Sequence, residues 1–260
     1  MDWLEAAILG ILQGLTEFLP ISSTGHLYLG RHFFGLNEAG LFLDTMLHFG
    51  TLIAVFSVYR QEIFQILKNP FNKLSLLILV GTIPTVLIGL SFKDYFEAIS
   101  QTGITIGWEF LMTGVILWIA ESIKSHGHKS LDQITFRDAL FIGTFQGLAI
   151  MPALSRSGLT IAAALFCRIN KSTAAYFSFL LSIPSIAGAV LLQGLEMISH
   201  KAEILPLSSL LIATIFSALF GYMAVKWMIS ILQKGSLKIF SIYVWILGVL
   251  ILITQNLIIL

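Results

Sequence analysis

Apolar runs of roughly 20 residues recur from one end of this chain to the other, and they constrain the fold more than any other feature. A helix needs about 20 predominantly apolar residues to cross a bilayer. Six segments meet that requirement: 41–59 (with Asp44 and His48 inside it), 74–92, 104–120, 174–192, 207–225 and 239–257. Two further apolar stretches, 3–19 and 139–154, stop at breaks rich in Pro, Ser and Gly (PISSTG and PALSRSG) and resume only as short apolar pieces. These read as re-entrant hairpins, because irregular backbone at membrane depth survives only where protein or a wet cavity satisfies its N–H and C=O groups. With 57% hydrophobic and 11% charged residues in a 260-residue chain, no polar stretch is long enough for a separate soluble domain. The expectation is therefore an all-α polytopic membrane protein: a single membrane domain, 1–260, of six transmembrane helices plus two re-entrant helical hairpins.

The basic residues give the orientation, since cytoplasmic loops carry an excess of Lys and Arg. Connections 60–73 (Arg60, Lys68, Lys73), 121–138 (Lys124, Lys129, Arg137) and 226–238 (Lys226, Lys234, Lys238) are expected inside. Connections 93–103 and 193–206 hold one basic residue each, Lys93 and Lys201, and are expected outside, with both termini. A formal net charge of +1 gives no reason to expect nucleic acid. The N-terminus MDWLEAAILG has neither a basic flank nor a cleavage site of signal-peptide type and reads as part of the mature fold. The single cysteine, Cys167, excludes an internal disulfide and reads as a buried small side chain.

Displacing the chain by 133 positions against itself aligns Ala6 with Ala139, Gly10 with Gly143, Gln13 with Gln146, Gly14 with Gly147, Ser22 with Ser155, Gly25 with Gly158, Phe33 with Phe166 and Asn37 with Asn170. The match crosses both breaks without a gap. Each half, about 1–130 and 131–260, is then one hairpin followed by three spans, and an odd number of spans inverts the second half. Inverted repeats with broken helices place a site near the midplane, where the two breaks meet.

The breaks carry the reactive residues. Gln13 and Glu17 are four apart on one helix face, and a carboxylate at this depth marks function more often than structure. Ser22, Ser23, Thr24, Gly25 and His26 follow, offering hydroxyl nucleophiles, a pliable backbone and a general acid or base. The second break offers Ser155, Arg156, Ser157, Gly158 and Thr160, in which a guanidinium beside a helix start suits phosphate oxygens. Asp44 and His48 can line the site or order it from behind. Glu109 and Glu121, toward the ends of a span, are expected at the interface, and His126 and His128 in a solvated loop. An acid, a hydroxyl, an imidazole and an arginine fit phosphoryl transfer better than ion conduction, and a site between spans admits a phosphorylated lipid. Movement of a prenyl-phosphate lipid is the alternative, because the architecture also serves transporters.

At these residues the chain resembles the undecaprenyl-diphosphate phosphatase family, integral membrane enzymes also associated with bacitracin resistance. The family's first motif, [E/Q]-x-x-x-E followed by P-x-S-S-x-G-H, is matched by Gln13, Glu17, Pro20, Ser22, Ser23, Gly25 and His26. The second, P-G-x-S-R-S-G-x-T, is matched by Pro152, Ser155, Arg156, Ser157, Gly158 and Thr160, with Ala153 where glycine is usual. Gln13 stands where many members carry glutamate. The resemblance implies hydrolysis of undecaprenyl diphosphate to the monophosphate and inorganic phosphate, which recycles the lipid carrier of peptidoglycan synthesis. It further implies the bacterial cytoplasmic (inner) membrane, with an active site that opens to the outer face. The implied roles are catalysis for Ser23, His26, Glu17 and Arg156, with either Ser23 or His26 as nucleophile. Substrate binding is implied for Ser22, Thr24, Gly25, Ser155, Ser157, Gly158 and Thr160. A divalent cation, Mg²⁺ or Ca²⁺, is implied on Glu17 and Gln13. The implied partners are the polyprenyl diphosphate and membrane lipids, and a homodimer is compatible with such a chain.

Overall fold

The computed structural model describes residues 1–36, 40–123, 127–199 and 205–259; Asn37, Lys124, His126 and Lys201, invoked above, lie outside them. Twelve α-helices follow in chain order: α1 Trp3–Phe18, α2 Ser23–Phe33, α3 Gly40–Val58, α4 Arg60–Lys68, α5 Lys73–Ser91, α6 Lys93–Thr102, α7 Ile106–Ser122, α8 Phe136–Leu148, α9 Arg156–Phe166, α10 Lys171–Ser199, α11 Leu207–Lys234 and α12 Lys238–Ile259. By length and composition α5, α10, α11 and α12 suffice to cross a membrane, and α3 and α4, bent by 81° between them, pass the same test only when taken together. The chain is thus an all-helical, multi-pass membrane protein. The expected span 104–120 falls on α7, which at 17 residues is shorter than the helices that suffice to cross.

Two of the connections expected as loops are helices. α4 and α6 segregate polar from apolar residues, and on α4 Phe64 and Leu67 are exposed beside Arg60 and Lys68. That is the pattern of a helix lying along an interface. Their polar composition concealed them in a search for apolar runs.

The 133-residue register extends to helix boundaries and caps. α1 and α8 begin at Trp3 and Phe136, each behind a capping box built by Asp2 with Glu5 and by Thr135 with Asp138. α2 and α9 begin at Ser23 and Arg156 and end at Phe33 and Phe166, behind Ser22 and Ser155, whose hydroxyls accept from the N–H groups of Gly25 and Gly158. α1 packs on α2 and α8 on α9, as hairpins require.

The halves interlock. α1 of the first half lies against α11 of the second, and α8 of the second against α5 of the first. Glycines set these crossings, because a Cβ on Gly14 would meet Ser217 O at 2.6 Å, and Gly143 sits directly on the Gly81 carbonyl. Backbones approach this closely only over small residues, the usual device of helix pairs in lipid. Around the crossings run two buried apolar clusters, the larger with Phe18, Phe110, Phe177 and Phe179 among its members and the smaller around Leu9, Leu47 and Leu210.

Candidate active site

Each break solves its backbone problem with a side chain from elsewhere in the fold. Pro20 has no N–H and ends α1; the carbonyl of Leu19 then accepts from Ser157 Oγ, 2.8 Å away on the second break. On the second break, the Ala153 N–H donates to the Glu109 carboxylate and the Ser155 N–H to Thr113 Oγ1 at 3.2 Å. Glu109 is therefore not interfacial as its position in the run suggested. It is 4% exposed and faces inward with Thr113, one turn on along α7. Only knowledge of what α7 packs against could have distinguished the two placements.

These bonds bring the tips into contact. A Cβ on Gly25 would meet Phe110 at 2.6 Å and the Ala153 side chain at 3.1 Å, and one on Gly158 would meet Pro20 at 3.3 Å. At the junction Glu17, 5% exposed, gathers four partners. Arg156 donates to its Oε1. Ser23 Oγ donates to Oε2 at 2.5 Å and Gln13 Nε2 to the same oxygen at 2.9 Å. His48 Nε2 stands 3.8 Å from Oε2. The expected acid, hydroxyl and arginine are thus in one place, and His48, expected either to line the site or to order it, lies at its edge. Asp44 pairs with Arg31, and the His48 ring bonds its carbonyl.

Ser22 has φ 68°, ψ 102°, a region that costs a non-glycine residue about 1–3 kcal/mol. Its repeat partner Ser155 has φ −75° and is relaxed. What holds the strained residue is visible: its carbonyl accepts from His26 Nδ1 at 2.6 Å, and its hydroxyl accepts from the Gly25 N–H at 3.3 Å. The distortion starts α2 with Ser23 turned onto Glu17. His26 Nε2 meets the Tyr243 hydroxyl at 2.7 Å, a residue of α12 that carried no signal in an apolar run. Thr24 is half-buried on the first turn of α2. Ser155, Ser157 and Thr160 are buried, and Thr160 Oγ1 is held by the Arg156 carbonyl at 2.9 Å and Ser178 Oγ at 2.6 Å.

Two buried atoms at the junction have no hydrogen-bond partner among the described residues: Arg156 Nη1, a donor, and Gln13 Oε1, an acceptor. The first is a charged N–H group, suited to an anionic oxygen. The second follows from chemistry, because the carboxylate of Glu17 can only accept, so the amide of Gln13 must turn its NH₂ there and its oxygen away. Among the described residues no group of three or more His, Cys, Asp and Glu clusters as a metal cage. Gln13 Oε1 is a free oxygen donor of the kind Mg²⁺ takes beside substrate phosphate and water, whereas both Glu17 oxygens are already engaged by Arg156, Ser23 and Gln13.

Fold and site together define a helical membrane protein in which two facing helix breaks bring a hydroxyl and a guanidinium onto one buried carboxylate. Residues 6–250 match the family model of the bacitracin resistance protein BacA. The chain belongs to that family. It is 62% identical over 255 residues to undecaprenyl-diphosphatase 3 of Bacillus cereus, covering 98% of each chain. Identity is 51% over 257 residues to the undecaprenyl-diphosphatase of Carboxydothermus hydrogenoformans, again over 98% of each. With that of Halothermothrix orenii it is 43% over 255 residues, 97% of this chain and 98% of the other.

Proposed function

We infer that the chain hydrolyses undecaprenyl diphosphate to undecaprenyl phosphate and inorganic phosphate, the activity for which its full-length relatives are named. The observation that carries the mechanism is the contact of Ser23 and Arg156, from opposite breaks, with one carboxylate. Ser23 is the nucleophile in this reading. Its Oγ already donates to Glu17, so the proton has an acceptor at 2.5 Å as Oγ attacks the terminal phosphorus. The P–O bond to the prenyl phosphate breaks, and prenyl monophosphate leaves. Water then cleaves the phosphoserine, and inorganic phosphate departs. Arg156 Nη1 holds a non-bridging oxygen throughout, where charge spreads in the transition state. His26 is the weaker nucleophile candidate because both its ring nitrogens are engaged, by Ser22 and Tyr243. Beside substrate phosphate, Gln13 would hold a divalent cation, which when bound supplies neutralisation of the diphosphate. Ser22, Gly25, Ser155, Ser157, Gly158 and Thr160 shape the two helix starts, while Thr24 is left to contact substrate.

The same reading takes the chain as one membrane domain of inverted halves, six spans plus two hairpins, in the bacterial cytoplasmic membrane with the site open to the outer face. Support comes from the shared helix register, the basic connections and the crossing of each hairpin onto the other half. Purified protein in proteoliposomes, without any ion gradient, should release phosphate from undecaprenyl diphosphate, and Ser23→Ala should abolish release while remaining folded. Lipid movement without phosphate release would establish the transporter alternative instead. Cysteine labelling at positions 65 and 130 should report the cytoplasmic side, and cross-linking in membranes separates a monomer from a homodimer.

A further inference from the structure

Tyr243 stands outside both motifs, on the last helix, yet its hydroxyl lies within hydrogen-bond distance of the His26 ring. The ring's Nδ1 lies 2.6 Å from the Ser22 carbonyl oxygen. A carbonyl only accepts, so Nδ1 carries the proton, and a singly protonated ring then has its lone pair on Nε2. Tyr243 Oη lies 2.7 Å from that nitrogen and donates to it. Both contacts therefore select the same tautomer. The Tyr243 ring also stacks on the imidazole, with centroids 5.7 Å apart and planes 8° from parallel, while Phe110 meets the other side edge-on at 5.4 Å and 85°.

Phe110 and Tyr243 are themselves 133 residues apart, on α7 and α12, so equivalent positions of the two halves wall one histidine from both sides. They differ by a hydroxyl, and that hydroxyl is the group on Nε2. Its influence reaches further, because the Nδ1 contact restrains the carbonyl of Ser22 at φ 68°, and Ser22 sets the direction of Ser23. The geometry points to Tyr243 as a positioning residue: it holds His26 in the Nδ1–H form and, through the Ser22 backbone, holds Ser23 on Glu17. This rests on the reading of the chain as a diphosphate-lipid hydrolase.

Tyr243→Phe removes the hydroxyl and keeps the ring, so the stacking and the fold persist. For phosphate release from undecaprenyl diphosphate, kcat is expected to fall about fivefold to tenfold, the fold-change that a hydrogen bond of about 1–1.4 kcal/mol represents, with KM within twofold of wild type. Nitrogen NMR of ¹⁵N-histidine protein in detergent, with the His26 signals assigned by difference from His26→Gln, gives a readout that needs no turnover. The wild-type protein should show the Nδ1–H tautomer, and Tyr243→Phe should shift the Nε2 signal and mix the tautomers. A wild-type Nε2–H tautomer overturns the assignment, as does an unmoved spectrum in the variant, a wild-type kcat, or a loss carried by KM alone. Should the wild-type protein release no phosphate, the hydrolase reading fails, and the tautomer measurement still decides whether Tyr243 sets the histidine.

Discussion

Glu17 and Arg156, 139 residues apart in sequence, form a buried ion pair where the two breaks meet, and the pair can be taken apart by a double-mutant cycle. Their side chains are 4% and 16% exposed. Replacing Arg156 by Gln leaves the carboxylate with Ser23 and Gln13 as donors and the His48 ring at 3.8 Å. Breaking a buried pair by removing one partner costs about 3–5 kcal/mol, and the surviving hydrogen bonds place this case near 3. At about 2–4 °C per kcal/mol for a chain of this size, the midpoint of thermal unfolding in detergent should fall by about 6–12 °C. Glu17→Gln should cost a similar amount by stranding the guanidinium. In the double variant two amides of similar shape replace the charges, nothing charged is left unpaired, and the expected loss is about 2 kcal/mol or less. The coupling energy is then about 4 kcal/mol or more, well above the ~0.5 kcal/mol within which independent sites add. All three variants should lack phosphate release, because activity needs both charges while stability needs only their balance. A double variant whose loss equals the sum of the single losses would refute the argument and place the two residues in separate environments.

Three further outcomes follow from local geometry. Ser22→Gly should raise the unfolding midpoint or leave it unchanged, because relief of φ 68° recovers about 1 kcal/mol while glycine costs only a few tenths as an N-cap. Ser22→Ala keeps the strain, loses the cap and should cost about 1 kcal/mol or more in the same melt. Gly14→Ala should destabilise by about 1–3 kcal/mol through its clash with Ser217 O and Gly221 N. Gly188→Ala, with nothing within 4 Å of the new Cβ, should instead stabilise α10 by about 0.5–1 kcal/mol. Asp138, capping α8 at the polar end of its hairpin, loses hydration on burial, which alone would raise its pKa. The bonds from Thr135 and Lys129 overcome this and hold the carboxyl below its ordinary value. A lowered folded-state pKa contributes stability above the unfolded value of about 3.9, and that stability is lost as pH falls through the folded pKa. Melts of Asp138→Asn should therefore show a lower midpoint at pH 7 and a smaller decline below pH 4 than wild type.

What the sequence made legible was whatever local chemistry dictates. The breaks were legible because PISSTG and PALSRSG gather Pro, Ser and Gly inside apolar stretches, whereas proline alone is no signal, since Pro84 and Pro184 lie within α5 and α10. The caps Asp2, Ser22, Thr135 and Ser155 emerge with the helix starts they set. Partnerships across the fold were not legible. Glu109 and Tyr243 both sit on apolar helices, and whether a polar group there faces lipid, water or a break depends on which helix crosses it. Nothing within α7 or α12 records that. The strain at Ser22 was equally hidden, since its repeat partner Ser155 has the same residue type and the same cap in a relaxed conformation.

That contrast explains how a duplicated frame holds one site. At equivalent positions of the two breaks, Gln13 is matched by Gln146, but Glu17 by Ile150, Ser23 by Arg156 and His26 by Leu159. The carboxylate, hydroxyl and imidazole belong to one half and the guanidinium to the other. A buried Glu17 without Arg156 is an uncompensated charge, and Arg156 without Glu17 is another, so neither half can bury its own chemistry at low cost. Gln146, matching the amide that serves Glu17, instead donates to Thr85 at 3.1 Å and Ser185 at 2.7 Å, neutral groups on α5 and α10. The second half thus shares the frame but carries apolar Ile150 and Leu159 and the cationic Arg156 at the matching positions, and the charges meet only when α1 seats on α11 and α8 on α5.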